Sequence, residues 1–261
     1  MIREIFRYRK YIINNSIGEL KYRYAGSVIG VLWNVLNPLF QILVYTFVFS
    51  NIMLAKLPGM ETTSAFAIYL CSGLLAWIAF SEVLNRGTSA FIENGTFLKK
   101  LPIPEHVFLT QIVTSTALNV GITYAMLALC VFVITGVLTL SWILVPVVLL
   151  LLLILGFGIA LSLSCLNVFF RDLSQIMNII TSIWMWLTPI VYVKEIVPDE
   201  YRNVYLFNPI YPFINSLQQL IVYGNIPTMS SWAAMIIIAT ISVVVGYSIL
   251  SKLRKEVRDN L

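Results

Sequence analysis

Long apolar runs alternate with short polar segments along this chain, and the runs predict its architecture. Six of them cover residues 28–53, 64–84, 107–137, 142–170, 173–193 and 232–253. Each is long enough to cross the roughly 30 Å hydrocarbon core of a membrane as a helix. Because a chain in lipid must satisfy its backbone hydrogen bonds internally, the pattern predicts an all-α integral membrane protein with six transmembrane helices in one domain.

Two of the polar segments carry helical patterns of their own. Residues 1–24 are too charged to span, but their apolar positions recur at a helical period, which predicts an amphipathic helix lying in the headgroup region. Residues 194–231 contain an apolar stretch of about twelve residues, from Pro212 to Tyr223, which is too short to cross a bilayer. Pro212 suits a first helical turn and Gly224 a C-terminal cap, so we expect short re-entrant or interfacial helices there.

The segment 91–106 separates the second and third predicted spans. Asn94-Gly95 is a turn signal, Thr96 to Leu101 can form one or two helical turns, and Pro102 and Pro104 end them. Such turns would present Phe97, Leu98 and Leu101. The segment is either an ordinary basic loop or a small docking element for a soluble partner.

Composition and charge fix the class and the orientation. The chain is 59% hydrophobic and only 11% charged, which leaves too little polar surface for a soluble domain. Of its 17 Lys and Arg residues, only Lys56, Lys194 and Arg202 lie outside the N-terminus, the 85–106 loop, Arg171 and the C-terminus. The positive-inside rule therefore predicts that both termini and the 91–106 segment are cytoplasmic, and that 194–231 is external.

Several kinds of chemistry are excluded or disfavoured. His106 is the only histidine, and the three cysteines lie within apolar runs without metal-ligand spacing, so no metal site and no catalytic group are predicted. The chain has no G-x-x-x-x-G-K-[ST] phosphate-binding loop, so we expect it to bind no ATP itself. The net charge of +5 is explained by topology and needs no nucleic-acid partner.

Four motifs, in the predicted order and on the predicted sides, resemble one family. They are YRYAGSVIGVLWNVLNPL at the first span, FLKKLPIPEH after the second, FFRDLSQIMNIITSIWMWLTPIVY at the fifth, and NPIYPFINSLQQLI before the sixth. Together they cover nearly the whole chain and are similar to the permease subunit of type 2 ABC exporters, in the branch that exports O-antigen, capsule and teichoic acid. Thr188 stands where many relatives have Ser before the proline.

The resemblance implies partners and a docking site. It implies a homodimer with two copies of a separate cytoplasmic ABC ATPase, which would hold ATP and Mg, and a polyprenyl-linked glycan as substrate in contact with membrane lipids. The residues implied to couple the permease to the ATPase are Phe97, Leu98, Lys99, Lys100, Leu101, Pro102, Glu105, Arg171 and Asp172. We expect the Arg171-Asp172 pair to orient the fifth helix at the cytoplasmic interface.

A glycan path needs aromatic faces for the sugar rings and polar groups for the hydroxyls. The candidates are Trp33, Asn34, Asn37, Tyr45, Trp184, Trp186, Pro189 and Tyr192. Trp184 and Trp186 are two residues apart, so they cannot face the same side of a regular helix. Pro189 is expected to loosen the fifth helix near its outer end. The alternative for any one of the aromatic residues is an interfacial belt.

Other functions remain as alternatives. A capsule, teichoic-acid or small-molecule ABC exporter is the nearest. An ion-coupled secondary transporter would need carboxylates within the spans and an internal repeat, and neither is seen; Glu82 is read as interfacial. A membrane glycosyltransferase would need acidic or histidine groups near one face, and Asp172 alone supports it poorly.

Overall fold

The structure is a computed structural model that describes residues 1–60, 62–194, 197–198, 200, 205 and 207–261. Every regular element in those residues is helical, so the predicted all-α fold is confirmed. The α-helices are α1 (Ile2–Arg7), α2 (Arg9–Tyr22), α3 (Trp33–Phe47), α4 (Thr63–Glu93), α5 (Gly95–Lys100), α6 (Glu105–Thr135), α7 (Val145–Phe169), α8 (Leu173–Trp186), α9 (Tyr211–Gln218) and α10 (Met229–Asn260).

Five helical stretches in the described residues are long and apolar enough to cross a membrane. They are Gly30–Ile52, Thr63–Glu93, Glu105–Thr135, Leu140–Phe169 and Met229–Asn260. The first includes a 3-10 turn before α3 and a π-helical turn, Val48–Ile52, after it. Helices α4 and α10 run further into polar sequence than predicted, ending at Glu93 and Asn260 rather than near residues 84 and 253.

The predicted fifth span, 173–193, is the main departure from the sequence pattern. Helix α8 has 14 residues and ends at Trp186, so it is only about 21 Å long. It runs antiparallel to α4: Asn85 Nδ2 lies 3.4 Å from Thr181 Oγ1, the Trp77 and Trp184 rings meet, and the Tyr69 hydroxyl donates to the Pro189 carbonyl. The described residues therefore pass from one end of the bundle to the other six times, and the turn after α8 completes the fifth pass.

The N-terminal segment forms two helices rather than the predicted one. Helices α1 and α2 meet at Tyr8, which lies outside regular helical conformation. Ile12, Ser16 and Leu20 form a buried stripe on α2, and the Ser16 hydroxyl donates to the Gln111 carbonyl of α6 at 3.0 Å. This face packs on protein, whereas Ile13 and Ile17 stay exposed on the neighbouring face of the helix.

The short helix predicted before the last span is present. Helix α9 has Pro212 in its first turn, continues as a π-helical turn, Gln219–Tyr223, and is capped by Gly224 at φ +67°. Phe213, Ile214 and Leu217 are completely buried, so α9 is held inside the bundle rather than on its surface. Parts of the rest of segment 194–231 lie outside the described residues.

Helix α4 lies at the centre of the bundle and packs against α6, α7, α8 and α9. Its side chains Phe80, Leu84 and Phe91 are among the largest that are fully buried. Helix α7 lies between α4 and α10. Gly158 and Gly246 allow α7 and α10 to approach closely, because a Cβ at Gly246 would lie 2.4 Å from the Gly158 carbonyl oxygen.

Candidate coupling surface and translocation path

Helix α5 forms where the sequence predicted the docking element, but it presents fewer side chains than expected. Phe97 is 54% exposed and stacks on Phe108 with a ring separation of 6.4 Å. Leu101 is also exposed, as are Lys99 and Lys100. Leu98 is only 1% exposed and anchors α5 to the core, so its predicted place on the docking surface is wrong.

Glu105 begins α6 and is fully buried. Its Oε2 accepts hydrogen bonds from Arg254, with both Nε and Nη2 at 2.8 Å, and its Oε1 accepts from Arg258 Nε at 2.5 Å. Glu105 was predicted from sequence as a coupling residue. Its partners Arg254 and Arg258 were counted only among the basic residues of the C-terminus, and no contact with Glu105 was predicted. Residues more than 140 positions apart give no local signal of such a contact.

The N-terminal helices reach the same end of the bundle. The Tyr8 hydroxyl donates to the Pro102 carbonyl at 3.3 Å, and Glu4 Oε2 lies 3.4 Å from His106 Nε2. Both ends of the described chain therefore meet beside α5. This agrees with an even number of passes through the bundle.

Arg171 and Asp172 lie on the connection between α7 and α8, and both are exposed. Asp172 occupies the N-cap position of α8, but its side chain makes no capping hydrogen bond; its backbone carbonyl accepts from Gln175 and Ile176 instead. A carboxylate beside a helix N-terminus still interacts favourably with the helix dipole. The orienting role of this pair remains a prediction.

Three of the predicted path residues line one cleft of about 110 Å³ between α3, α4 and α6. These are Trp33, Asn34 and Asn37, and the polar residues that share the cleft with them are Tyr24, Gln41, Glu82, Asn119 and Thr123. Asn34 donates to the Leu20 carbonyl at 3.1 Å, while its buried Oδ1 has no protein partner. Asn37 is exposed and donates to the Tyr24 hydroxyl. Tyr45 lies two turns along α3 from Asn37, and its hydroxyl accepts from Gln41.

A cluster of four charges stands beside this cleft. Glu82 Oε1 accepts from Arg23 at 2.6 Å and from Arg86 at 2.9 Å, and Glu19 pairs with Arg86 and lies 3.6 Å from Arg23. Burial lowers the pKa of the Arg23 guanidinium, but the Glu82 carboxylate and then Glu19 favour its charged form, and the pKa is raised overall. The cluster links α2 to α4. Sequence reading placed Glu82 at an interface but did not identify these partners.

The remaining path candidates lie at the other end of α8 and face different environments. Trp184 packs edge-on against Trp77 and Phe80, each with a ring separation of 5.9 Å, whereas Trp186 is 61% exposed. The prediction that the two tryptophans cannot face the same side of the helix is confirmed. Trp184 is committed to contacts within the bundle, so the expectation that it faces an open path is not supported.

Asn208 fixes this junction and was not singled out from sequence. Its Oδ1 accepts from Trp184 Nε1 at 3.1 Å, and its Nδ2 donates to Thr188 Oγ1 at 2.8 Å. Nearby, the Pro189 carbonyl accepts from both Tyr69 and Gln218. The amide within the NPIYPF motif was the available signal.

Pro189 and Tyr192 lie beyond the end of α8. Pro189 is buried in the turn after the helix, so the prediction that it loosens a helix is wrong. The Tyr192 hydroxyl donates to the Trp186 carbonyl at 3.0 Å and covers the exposed C-terminal end of α8. The eight path candidates therefore fall into two groups, four on α3 and four around the end of α8.

Within the described residues, no group of three or more His, Cys, Asp or Glu side chains could hold a metal ion. Cys71 and Cys165 are buried thiols within helices α4 and α7. The bundle therefore has a polar cleft with a cluster of four charges beside it, and an exposed apolar edge on α5 next to the buried Glu105 and its two arginines.

The fold and these surfaces define a multi-pass helical membrane protein of the permease type. The chain matches the ABC-2 type transporter family over residues 13–222, which is most of its length, and it belongs to that family. Membership implies a permease subunit that works with an ABC ATPase.

Three relatives that match over nearly the whole chain are named as O-antigen export or polysialic acid transport proteins. The chain is 29% identical over 268 residues to the O-antigen export system permease protein RfbA of Myxococcus xanthus, covering 100% of this chain and 99% of the relative. It is 29% identical over 244 residues to RfbA of Klebsiella pneumoniae, covering 93% and 91%. It is 22% identical over 247 residues to the polysialic acid transport protein KpsM of Escherichia coli, covering 91% of each chain.

Proposed function

We propose that this chain is the membrane subunit of an ATP-driven exporter that moves a lipid-linked, O-antigen-like polysaccharide across the cytoplasmic membrane. The observation that carries the proposal is its end-to-end similarity to O-antigen export permeases, at 29% identity over 100% of the chain. The polysialic acid transport protein KpsM is more distant, at 22% identity. The distribution of Lys and Arg supports cytoplasmic termini.

The exposed edge of α5 is the proposed docking site for a separate ATPase that holds ATP and Mg. Phe97 and Leu101 expose apolar surface at the end of the bundle that carries the predicted cytoplasmic residues, and Lys99 and Lys100 flank them. An exposed aromatic anchor with a polar rim is typical of protein–protein contact sites. The buried Leu98 beneath it would keep the edge fixed.

The charge network favours ATP as the energy source over an ion gradient. Glu82 lies within α4 and Glu105 begins α6, and each is paired with two arginines. A carboxylate that carries protons through a transport cycle must lose its charge, and two arginine partners oppose that loss.

A homodimer would complete the translocation path. Helix α3 exposes Phe40, Val44 and Phe47, and α8 exposes Ile176, Ile179 and Ile183, so both have apolar faces with no partner in the described chain. A second copy packed on these faces in two-fold symmetry would enclose a path that one bundle cannot. The cleft at Asn34 and Asn37 would offer hydrogen bonds to sugar hydroxyls, and Trp186 with Tyr192 would offer ring surfaces towards the exit.

The proposal is tested at Phe97. The chain would be purified in detergent with its ATPase subunit, and co-purification and the rate of ATP hydrolysis would be measured for Phe97→Asp and Phe97→Leu. Placing an acid at the docking edge should release the ATPase or cancel its stimulation by the permease, while Phe97→Leu, which keeps an apolar surface, should retain most of both. If Phe97→Asp binds and stimulates the ATPase like the unmodified chain, α5 is not the docking site.

A further inference from the structure

The last turns of α10 contact the segment 95–105, which contains α5 and the start of α6, at both of its ends. At the far end, Arg254 and Arg258 hold the Glu105 carboxylate, and Arg258 Nη2 also donates to the Ile103 carbonyl at 3.1 Å. At the near end, a Cβ built on Gly95 would lie 3.7 Å from Leu261 Cδ2. A single helix, α10, thus contacts both ends of the segment that presents Phe97.

The Glu105 carboxylate makes this contact specific. A fully buried carboxylate is strongly unfavourable unless it is paired and hydrogen-bonded, and here both of its oxygens are used by guanidinium groups. Arginine suits this role because its planar group donates several hydrogen bonds in a fixed geometry, which a lysine ammonium cannot reproduce. Val257, between the two arginines, is also completely buried.

From this contact we infer that the last turns of α10 hold the docking helix α5 in position, with Arg254 and Arg258 as positioning residues. We call this contact the brace. This inference rests on the proposed docking of an ATPase at α5. The brace fixes α5 to α10, which in turn packs against α7. A force applied by the ATPase at Phe97 would then reach α7 and α10 directly, as well as α4 and α6, which flank α5 in sequence.

The brace predicts a loss of coupling when the arginines are changed and the docking edge is left intact. Arg254→Gln, Arg258→Gln and the double variant would be compared with Lys255→Gln, which changes an exposed cation on the same helix turn. All would be assayed as complexes with the ATPase, reconstituted in vesicles. The arginine variants should keep ATPase binding but export several-fold less glycan per ATP hydrolysed, and Lys255→Gln should behave like the unmodified chain.

A double-mutant cycle separates positioning from general instability. In a Glu105→Gln background the further effect of Arg258→Gln on export per ATP should largely vanish, because its partner is already lost. Effects that simply add would overturn the inference. If a glutamine variant fails to fold, Arg258→Lys replaces it, and it should retain assembly while still lowering export per ATP.

A distance measurement tests the brace without activity. Spin labels on cysteines at Lys100 and Asp259, both exposed, would report the separation of α5 and α10 in a background lacking the native cysteines. The distribution should be narrow, and Arg258→Gln should broaden it. An unchanged distribution refutes the brace. If Phe97→Asp uncouples the ATPase while the arginine variants do not, only the brace is wrong; if none of them changes coupling, the docking proposal fails as well.

Discussion

Asn208 shows how one amide can hold a helix end in place. The residue is 9% exposed, and its Oδ1 accepts from both Trp184 Nε1 and the Ile210 amide while its Nδ2 donates to Thr188. It therefore joins the last turn of α8, the turn that follows it and the start of α9. Losing it would leave the buried Ile210 N–H and the partly buried indole N–H of Trp184 without this partner.

We predict that Asn208→Ala destabilises the protein. Each buried group left without its hydrogen bond costs about 1–3 kcal/mol, so thermal unfolding in detergent should occur several degrees lower. Asn225→Ala is the matched control, because Asn225 is exposed and contributes a backbone hydrogen bond, from its N–H to Gln219, that the change preserves. Equal unfolding temperatures for the two variants would contradict the role given to Asn208.

Residue-level prediction succeeded where the chemistry was local. The predicted path residues Asn34 and Asn37 lie close together on α3 and line the same cleft, where Asn34 donates to the Leu20 carbonyl and Asn37 to the Tyr24 hydroxyl. The partners of Glu105 could not be predicted, because a carboxylate and an arginine 149 positions apart meet only after the bundle is packed. The environment of Trp184 also could not be predicted, because an aromatic side chain in a span suits a core and a path equally well, and its ring partners on α4 are distant in sequence.

At the scale of the elements, proline and glycine residues predicted where helices begin and end better than hydropathy did. Pro212 and Gly224 bound the short helix before α10, as their conformational preferences predicted. Hydropathy remains high through Val193, yet α8 ends at Trp186. The reason is Pro189, because the residue before a proline is driven out of the helical conformation. The sequence contained this signal, but the apolar run obscured it.

The crossing of α7 and α10 depends on Gly158. A Cβ there would lie 2.3 Å from the Ser242 carbonyl carbon, so the backbones would have to separate. Gly158→Ala should therefore lower the unfolding temperature in detergent and reduce the yield of folded protein. Gly121→Ala makes the same change within α6, where a new Cβ meets nothing within 4 Å, and it should be neutral or slightly stabilising. Similar losses in both variants would show that the crossing tolerates separation.

At the scale of the whole molecule, the order of the helices determines the topology. Helix α7 ends near the α5 end of the bundle, since Asn167 donates to Thr88 in the last turns of α4. The turn ending at Tyr223 lies at the opposite end, where Ser141 donates to the Leu220 carbonyl. The chain must cross between them, which makes the short α8 and the turn after it the fifth pass. Six passes place the predicted docking helix and both ends of the described chain together.

Family membership implies an ABC ATPase as partner, and the glycan is the substrate of the proposed function, which is supported by the similarity to the relatives. The sequence could indicate them only through the motifs at α3, α5, α8 and α9. The polar cleft, the apolar faces and the exposed edge of α5 are the physical features that such a function would use.

The most direct measurement is transport in vesicles that contain this chain and its ATPase. A radiolabelled polyprenyl-linked oligosaccharide would be supplied on the ATPase side, and its appearance on the other side would be followed with ATP, with a non-hydrolysable analogue, and with ATP plus a proton ionophore. The proposed function predicts translocation that requires hydrolysable ATP, survives the ionophore and is lost with Phe97→Asp. Translocation driven by a proton gradient without ATP, or none of the glycan moved by an active ATPase complex, would contradict it.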